Sequence, residues 1–423
     1  MSTAKRRNLN IGFVSTRLSG TDGVSLETAK WVDVLENMGH TCFYYAGQCD
    51  TPPERSMCVA EAFFGQPDVL ALHAVAFTKT ERPPELTQRI HELRGRLKAT
   101  LDEFVKRFDL DLLIPENALA IPMNIPLGIA LTELITETRI PTIAHHHDFF
   151  WERQRFLSNC VWDYLNMSFP PHLPAIRHVV INSSGANQLA LRTGISSELI
   201  PNIMNFDMPP PPPDAYLDTF RADLGLEPDE KLILQPTRVV ARKGIEHAIE
   251  LVSRLPVKSR LVISHASGDE GDTYEQRVRS YAQMMQVPTI FVADQIGDER
   301  GTLPDGRKKY SLGDAYVMCD LVTYPSTIEG FGNAFLEALY YRRPIVVNNY
   351  SIFSFDIKPK GFQVIEFDGF ITDHTVDRVA ELLEHPEQVE QMVEHNFQLG
   401  RRYYSYTVLA RHLSVLLDEF FGV

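Results

Sequence analysis

Pro209-Pro210-Pro211-Pro212-Pro213 interrupts the sequence close to its midpoint. Consecutive prolines lack backbone N–H groups and fix φ, so they continue neither a helix nor a central strand and favour an extended, semi-rigid connector. The same alternation runs on both sides of them. Before the prolines, Leu9–Ser15, Thr41–Ala46, Leu110–Pro115, Thr142–His145 and His178–Asn182 are short apolar runs that predict buried strands. Amphipathic stretches separate them. Val24–Met38 places Leu26, Ala29, Val32 and Leu35 at helical spacing ahead of Gly39, and Pro84–Phe108 predicts a long charged helix. After the prolines come strands at Lys231–Gln235, Arg260–Ser264, Thr289–Ala293, Asp320–Tyr324 and Pro344–Asn348, with helices at Gly244–Leu255 and Tyr274–Met285. This strand–helix alternation predicts an α/β chain of two facing Rossmann-like domains. Ligands of such sheets bind beyond the carboxyl ends of the strands, which puts the expected crevice between the domains. The expected boundaries are 1–208 for the first domain, 209–213 for the linker and 214–400 for the second. Residues 401–423 form a terminal helix with Leu409, Leu413, Leu416 and Leu417 on one face, either docked on the second domain or crossing back to the first.

Composition narrows the function. The 423 residues carry 41 Lys and Arg against 55 Asp and Glu, a formal charge of −14. That balance opposes a nucleic-acid binder and broad docking on anionic lipid, and membrane association is not expected. A local basic pocket for a phosphorylated ligand remains compatible with it. The five cysteines are scattered, with no CxxC pair, as in a reduced intracellular protein without structural zinc. Met1–Asn10 is polar, and the apolar run after it is too short for a signal segment or a membrane span. A cytoplasmic location is expected.

Two segments carry the chemistry. In Tyr324–Tyr340, YPSTIEGFGNAFLEALY, a strand ends at a Pro-Ser turn, and Glu329 and Gly330-Phe331-Gly332 precede a helix starting near Asn333. Glycine lets backbone approach a ligand closely, and a helix start offers unpaired N–H groups suited to a diphosphate. Glu329 lies in the loop, a position open to a sugar; Glu337 lies about one turn into the helix, a position open to ribose hydroxyls. In QPTRVVARKGIEHAI a second strand ends near Pro236, and Arg238, Arg242 and Lys243 precede a helix opened by Gly244. Cations beside a helix start make an anion site and can neutralise a leaving diphosphate. The plain alternative for both segments is strand–turn–helix structure with solvated charges.

Taken together, the Gly turn Ser19-Gly20-Thr21-Asp22-Gly23, the HD at His147-Asp148, Ile200-Pro201-Asn202, R-x4-K-G and E-x7-E in an EGFGN setting resemble the retaining nucleotide-sugar glycosyltransferases of glycosyltransferase family 4, with the GT-B fold. The landmarks span nearly the whole chain. Within the family, HHHDFFWER and PENALAIPMNIPLGIAL are similar to enzymes making small glycosides, such as mannosylglucosylglycerate synthases. The resemblance implies that Arg238 and Lys243 hold the donor diphosphate and Glu329 contacts the transferred sugar. It implies that Glu337 holds the ribose, and that Gly23, Gly330, Phe331, Gly332 and Asn333 line the donor. It also implies a histidine contacting the sugar at the reaction centre. The HD spelling points to His147, with His145 and His146 as alternatives. Glu116, Asn117 and Asp148 are acceptor candidates, with Asn124, Trp151, Glu152 and Arg153 nearby; turn formation is their plain alternative.

The implied activity is retaining, metal-independent transfer of a hexose from a UDP- or GDP-hexose to a hydroxyl of a small soluble or glycosidic acceptor, with no cofactor. A trehalose-synthase or phosphorylase-like enzyme and a non-catalytic sugar-nucleotide-binding protein are the alternatives. Neighbouring residues on a strand face opposite ways, which argues against a metal held by the three adjacent histidines. Asp109-Leu110-Asp111 has a metal-binding DxD spelling but sits at the entry of its strand, where solvated side chains are expected.

Overall fold

A computed structural model describes residues 8–20, 22–268 and 271–422. The chain divides into two units: residues up to Asn202 together with the tail from Tyr406 form unit one, and Ile203–Ser405 forms unit two. The division falls ahead of the prolines, which run without regular secondary structure. Thr21, within the Gly turn, lies outside the described residues.

Unit one is a seven-stranded parallel sheet of β1 (Asn10–Val14), β2 (Thr41–Ala46), β3 (Ser56–Cys58), β4 (Leu112–Pro115), β5 (Thr142–His146), β6 (Ile176–Val180) and β7 (Ser197–Leu199). Its order is β3-β2-β1-β4-β5-β6-β7, so the winding reverses between β1 and β4. Val14 pairs with Pro115 there, which sets the loops after both strands side by side. The helix Pro84–Arg107 buries Leu86, Ile90, Leu93, Leu97 and Leu101, one apolar stripe at helical spacing. Asp111 is more than a solvated strand entry: its carboxylate accepts from the backbone N–H of Asn10 at 2.9 Å.

Unit two holds β8 (Lys231–Gln235), β9 (Ser259–Ile263), β10 (Thr289–Phe291), β14 (Leu321–Tyr324), β15 (Ile345–Asn348) and β16 (Ile365–Phe367) in the order β10-β9-β8-β14-β15-β16, all parallel. Between β10 and β14 lies a small sheet of β11 (Ile296–Gly297), β12 (Gly301–Thr302) and β13 (Lys308–Ser311). The winding reverses between β8 and β14, and their carboxyl ends carry the two chemistry-bearing segments.

The tail is not one helix. Pro386–Tyr404 ends at Ser405, whose extended backbone (φ −83°, ψ 165°) breaks the run before Tyr406–Phe421. That last helix belongs to unit one, burying Leu409, Leu413, Leu416 and Leu417; Tyr406 donates to Asp33 at 3.3 Å, and Arg177 pairs with Glu419 at 2.7 Å. Among the described residues no helix is long and apolar enough to cross a membrane.

Candidate functional site

In unit two the loops after β8 and β14 are bound together. Thr327 donates to the Arg242 carbonyl through its backbone N–H (2.8 Å) and its hydroxyl (3.1 Å). Gly244 allows this approach. Its φ is +57°, and a β-carbon added there would lie 2.6 Å from the Pro325 carbonyl oxygen. The loops carry Lys243 and Glu329, which form a buried ion pair; Arg242 reaches the other carboxylate oxygen at 3.5 Å. Lys243 Nζ also lies 5.6 Å from the centre of the Tyr324 ring. Burial pulls the Lys243 ammonium below the usual lysine range; Glu329 opposes that, and Arg242 and Arg238 add to it. Arg238 itself is exposed and has no carboxylate partner among the described residues. This is an electropositive strand end in which two cations, Lys243 and Arg242, share one carboxylate.

The helix Asn333–Tyr340 starts beside this cluster. Gly332 takes φ +127°, and a β-carbon there would lie 2.7 Å from the Tyr350 hydroxyl. Tyr350 donates to the Phe331 carbonyl at 2.8 Å, holding the Gly-Phe-Gly loop. The Phe331 ring is buried against Tyr404. Glu329 is indeed in the loop and Glu337 in the helix, where Glu337 accepts from Tyr316 at 2.7 Å. Sequence reasoning missed Tyr316, which has no motif spacing to either glutamate. It also missed His265 beyond β9, whose ring is pushed down from the usual histidine range by burial and by Lys243 and Arg238.

In unit one, Gly23 opens the helix Gly23–Asn37, capped by Asp22 accepting from Val24 at 3.1 Å and Ser25 at 3.3 Å. At the reversal between β1 and β4, Glu116 is 1% exposed. Its Oε2 lies 2.9 Å from His145 Nδ1 and 3.0 Å from His147 Nε2. Glu116 is thus an internal group here rather than a free acceptor contact. Burial favours its neutral form, yet the two histidines outweigh that and hold its carboxyl below the usual range. His146 faces the other way and meets His178 at 2.9 Å. The alternation argument against a metal therefore holds for His146. It fails for His145 and His147, which stand two apart and share a face.

Asn117, with φ +56°, locks this corner: its backbone N–H donates to the His145 carbonyl, its Oδ1 accepts from His147 N (2.8 Å), and its Nδ2 donates to Asp148 (3.0 Å). Asp148 also pairs with Arg153. The remaining acceptor candidates are structural. Asn124 caps the helix Ile125–Thr138, Trp151 stacks on Phe149, and Glu152 accepts from Phe149 N at 2.7 Å.

Residues 303–398 match the model of the family described as glycosyl transferases group 1. Mannosylglucosylglycerate synthase of Thermotoga maritima is 30% identical, over 94% of this chain and 97% of that protein. A glycosyltransferase structure from Rickettsia africae superposes with a TM-score of 0.71 at 12% identity, covering 98% of this chain and 100% of that one. Anabaena HepE, solved in complex with UDP-glucose, gives 0.61 at 12% identity, with 97% and 100% covered. These neighbours carry the GT-B arrangement of two parallel-sheet Rossmann-like units.

Proposed function

Because this chain belongs to the group 1 glycosyl transferases, we propose that it moves a hexose, with retention, from a nucleoside-diphosphate sugar to a hydroxyl of a small soluble acceptor. The observation that carries this reading is the pairing of Lys243 and Arg242 with Glu329, with exposed Arg238 on the same loop, at the β8/β14 reversal and beside a glycine-led helix start. Positive charge at the carboxyl ends of an α/β sheet, beside a helix start, suits a diphosphate. The relative's name points to a mannosyl donor and an acidic glucosylglycerate acceptor. UDP- and GDP-hexoses are the donor class, and unit one, through Asn117 and Asp148, is assigned the acceptor side.

In this reading the sugar leaves as an oxocarbenium-like species and the acceptor attacks from the leaving-group side. The departing phosphate oxygen takes the acceptor proton. The side chains of Arg238 and Lys243 and the helix start meet the charge developing on the diphosphate, so no protein nucleophile is required. His147 is assigned to the sugar at the reaction centre. The direct test incubates the chain with GDP-mannose, UDP-glucose and glucosylglycerate and determines the anomeric configuration of the product by NMR. An inverted linkage, or no transfer from any sugar nucleotide, overturns the reading.

The diphosphate is assigned to side chains without a bridging ion. Nucleoside diphosphate should therefore bind by calorimetry with the same affinity in EDTA as in magnesium. An affinity that collapses with chelator and returns with magnesium removes that assignment.

The two glutamates separate as follows. Glu337→Gln should weaken nucleoside-diphosphate binding by a few-fold to about tenfold, the scale of one hydrogen bond of about 0.5–1.5 kcal/mol. Glu329→Gln should leave nucleotide affinity nearly intact and lower turnover. Equal losses of nucleotide affinity in both variants would sink the division of roles.

A further inference from the structure

We propose that Glu116, His145 and His147 form a binding site for one divalent transition-metal ion of the zinc class. The assignment rests on unit one alone; it shares His147 with the transfer reading, so its test reads metal content and not turnover. Glu116, His145 and His147 each offer one ligand atom, and the three atoms lie within 4.8 Å of one another. A tetrahedral ion with bonds of about 2.0–2.1 Å needs ligand atoms about 3.3 Å apart. The separations of 2.9 and 3.0 Å from Oε2 reach that with shifts of a few tenths of an ångström.

Hydrogen bonding accounts for the contact of His147 Nε2 with Glu116 Oε2 at 3.0 Å but leaves the rest of the cluster unexplained. Both imidazoles converge on one oxygen, while Glu116 Oε1 is buried without a partner. His145 Nδ1 is close to Oε2, yet its geometry is not that of a hydrogen bond. A nitrogen near a carboxylate oxygen but not aimed along the line between them is what two ligands of one ion look like. The charges point the same way. Nearby Glu27 pairs with Lys30 at 3.0 Å and Asp148 pairs with Arg153, whereas Glu116 has no Lys or Arg partner among the described residues. A buried carboxylate whose neighbours of opposite charge are only two imidazoles keeps part of its burial cost, and a divalent ion held between all three removes it. Two imidazoles select zinc, cobalt or nickel over magnesium and calcium. Three protein ligands leave a fourth position for water.

The site joins the loop after β4 to the end of β5, so the ion would staple the rim that carries Asn117 and Asp148. It departs from the metal-free expectation drawn from three adjacent histidines, and it lies in a different unit from the diphosphate cations.

The test uses the full chain with any affinity tag removed. The chain is stripped with chelator, dialysed against zinc or cobalt, and assayed by elemental mass spectrometry. About one equivalent per chain is expected, with the visible absorption of tetrahedral cobalt in the cobalt form. Glu116→Gln and His145→Gln should abolish the stoichiometric ion, and His374→Ala, an exposed change in unit two, should keep it. Circular dichroism checks that each variant is folded. If the ligand variants do not fold, the cobalt spectrum of the unsubstituted chain decides. No retained ion, or a cobalt spectrum of octahedral aquo type, overturns the proposal and leaves a carboxylate–imidazole cluster.

Discussion

Lys243→Ala is expected to lower hexosyl transfer by roughly 100- to 1000-fold, the loss of about 2.7–4 kcal/mol that follows removal of one donor to developing negative charge in a water-poor site. Lys243 is 8% exposed, so its ammonium acts where solvent screens least. The substitution also strips Glu329 of its closest cation, leaving Arg242 at 3.5 Å. A double-mutant cycle with Glu329→Gln separates the two effects: if the lysine acts on the leaving group, Lys243→Ala remains severe in the Glu329→Gln background. Arg238→Ala should match it in rate with less structural disturbance, because exposed Arg238 has no carboxylate partner among the described residues. Initial-rate measurement of kcat/KM on folded protein decides. Near-normal turnover in either variant removes the diphosphate assignment.

Gly244→Val should damage both stability and rate. The left-handed backbone alone costs about 1–3 kcal/mol for a residue with a side chain. A β-carbon 2.6 Å from the Pro325 carbonyl then forces the two loops apart, since neither atom belongs to a flexible side chain. For a unit of this size the melting temperature falls by roughly 2–4 °C for each kcal/mol. Displacing Lys243 by about 1 Å from its working position costs about 100-fold in rate. Calorimetric melting and turnover are the measurements. A variant with unchanged melting and unchanged turnover would show that the loops do not need their close approach.

The strands expected at Lys231–Gln235 and Asp320–Tyr324 are found almost residue for residue, because a fully buried parallel strand is an unbroken apolar run bounded by turn residues. The sequence placed Lys243 and Glu329 at carboxyl ends of strands, but not their pairing, which depends on β8 and β14 being neighbours. Less was legible where pairing decides. Ser56–Cys58, Ser197–Leu199 and the strands of Ile296–Ser311 are too short or too polar to show a period. Ser405 gave no warning of a helix break, since serine is an ordinary residue within helical spacing. The Glu116 cluster was hidden because its members lie far apart in sequence, and because His145 and His147 are separated by a histidine that faces elsewhere. Partners such as Tyr316 are invisible without the sheet that delivers them.

The return of Tyr406–Phe421 to unit one makes that unit discontinuous in sequence. Its last helix is synthesised only after every residue of unit two has been added to the chain. Until then Asp33 and Arg177 wait for Tyr406 and Glu419. Unit two, continuous from Ile203 to Ser405, has every segment it needs before unit one does. Nicking the chain near Ser405 would therefore deprive unit one of its closing helix while leaving unit two's sequence complete.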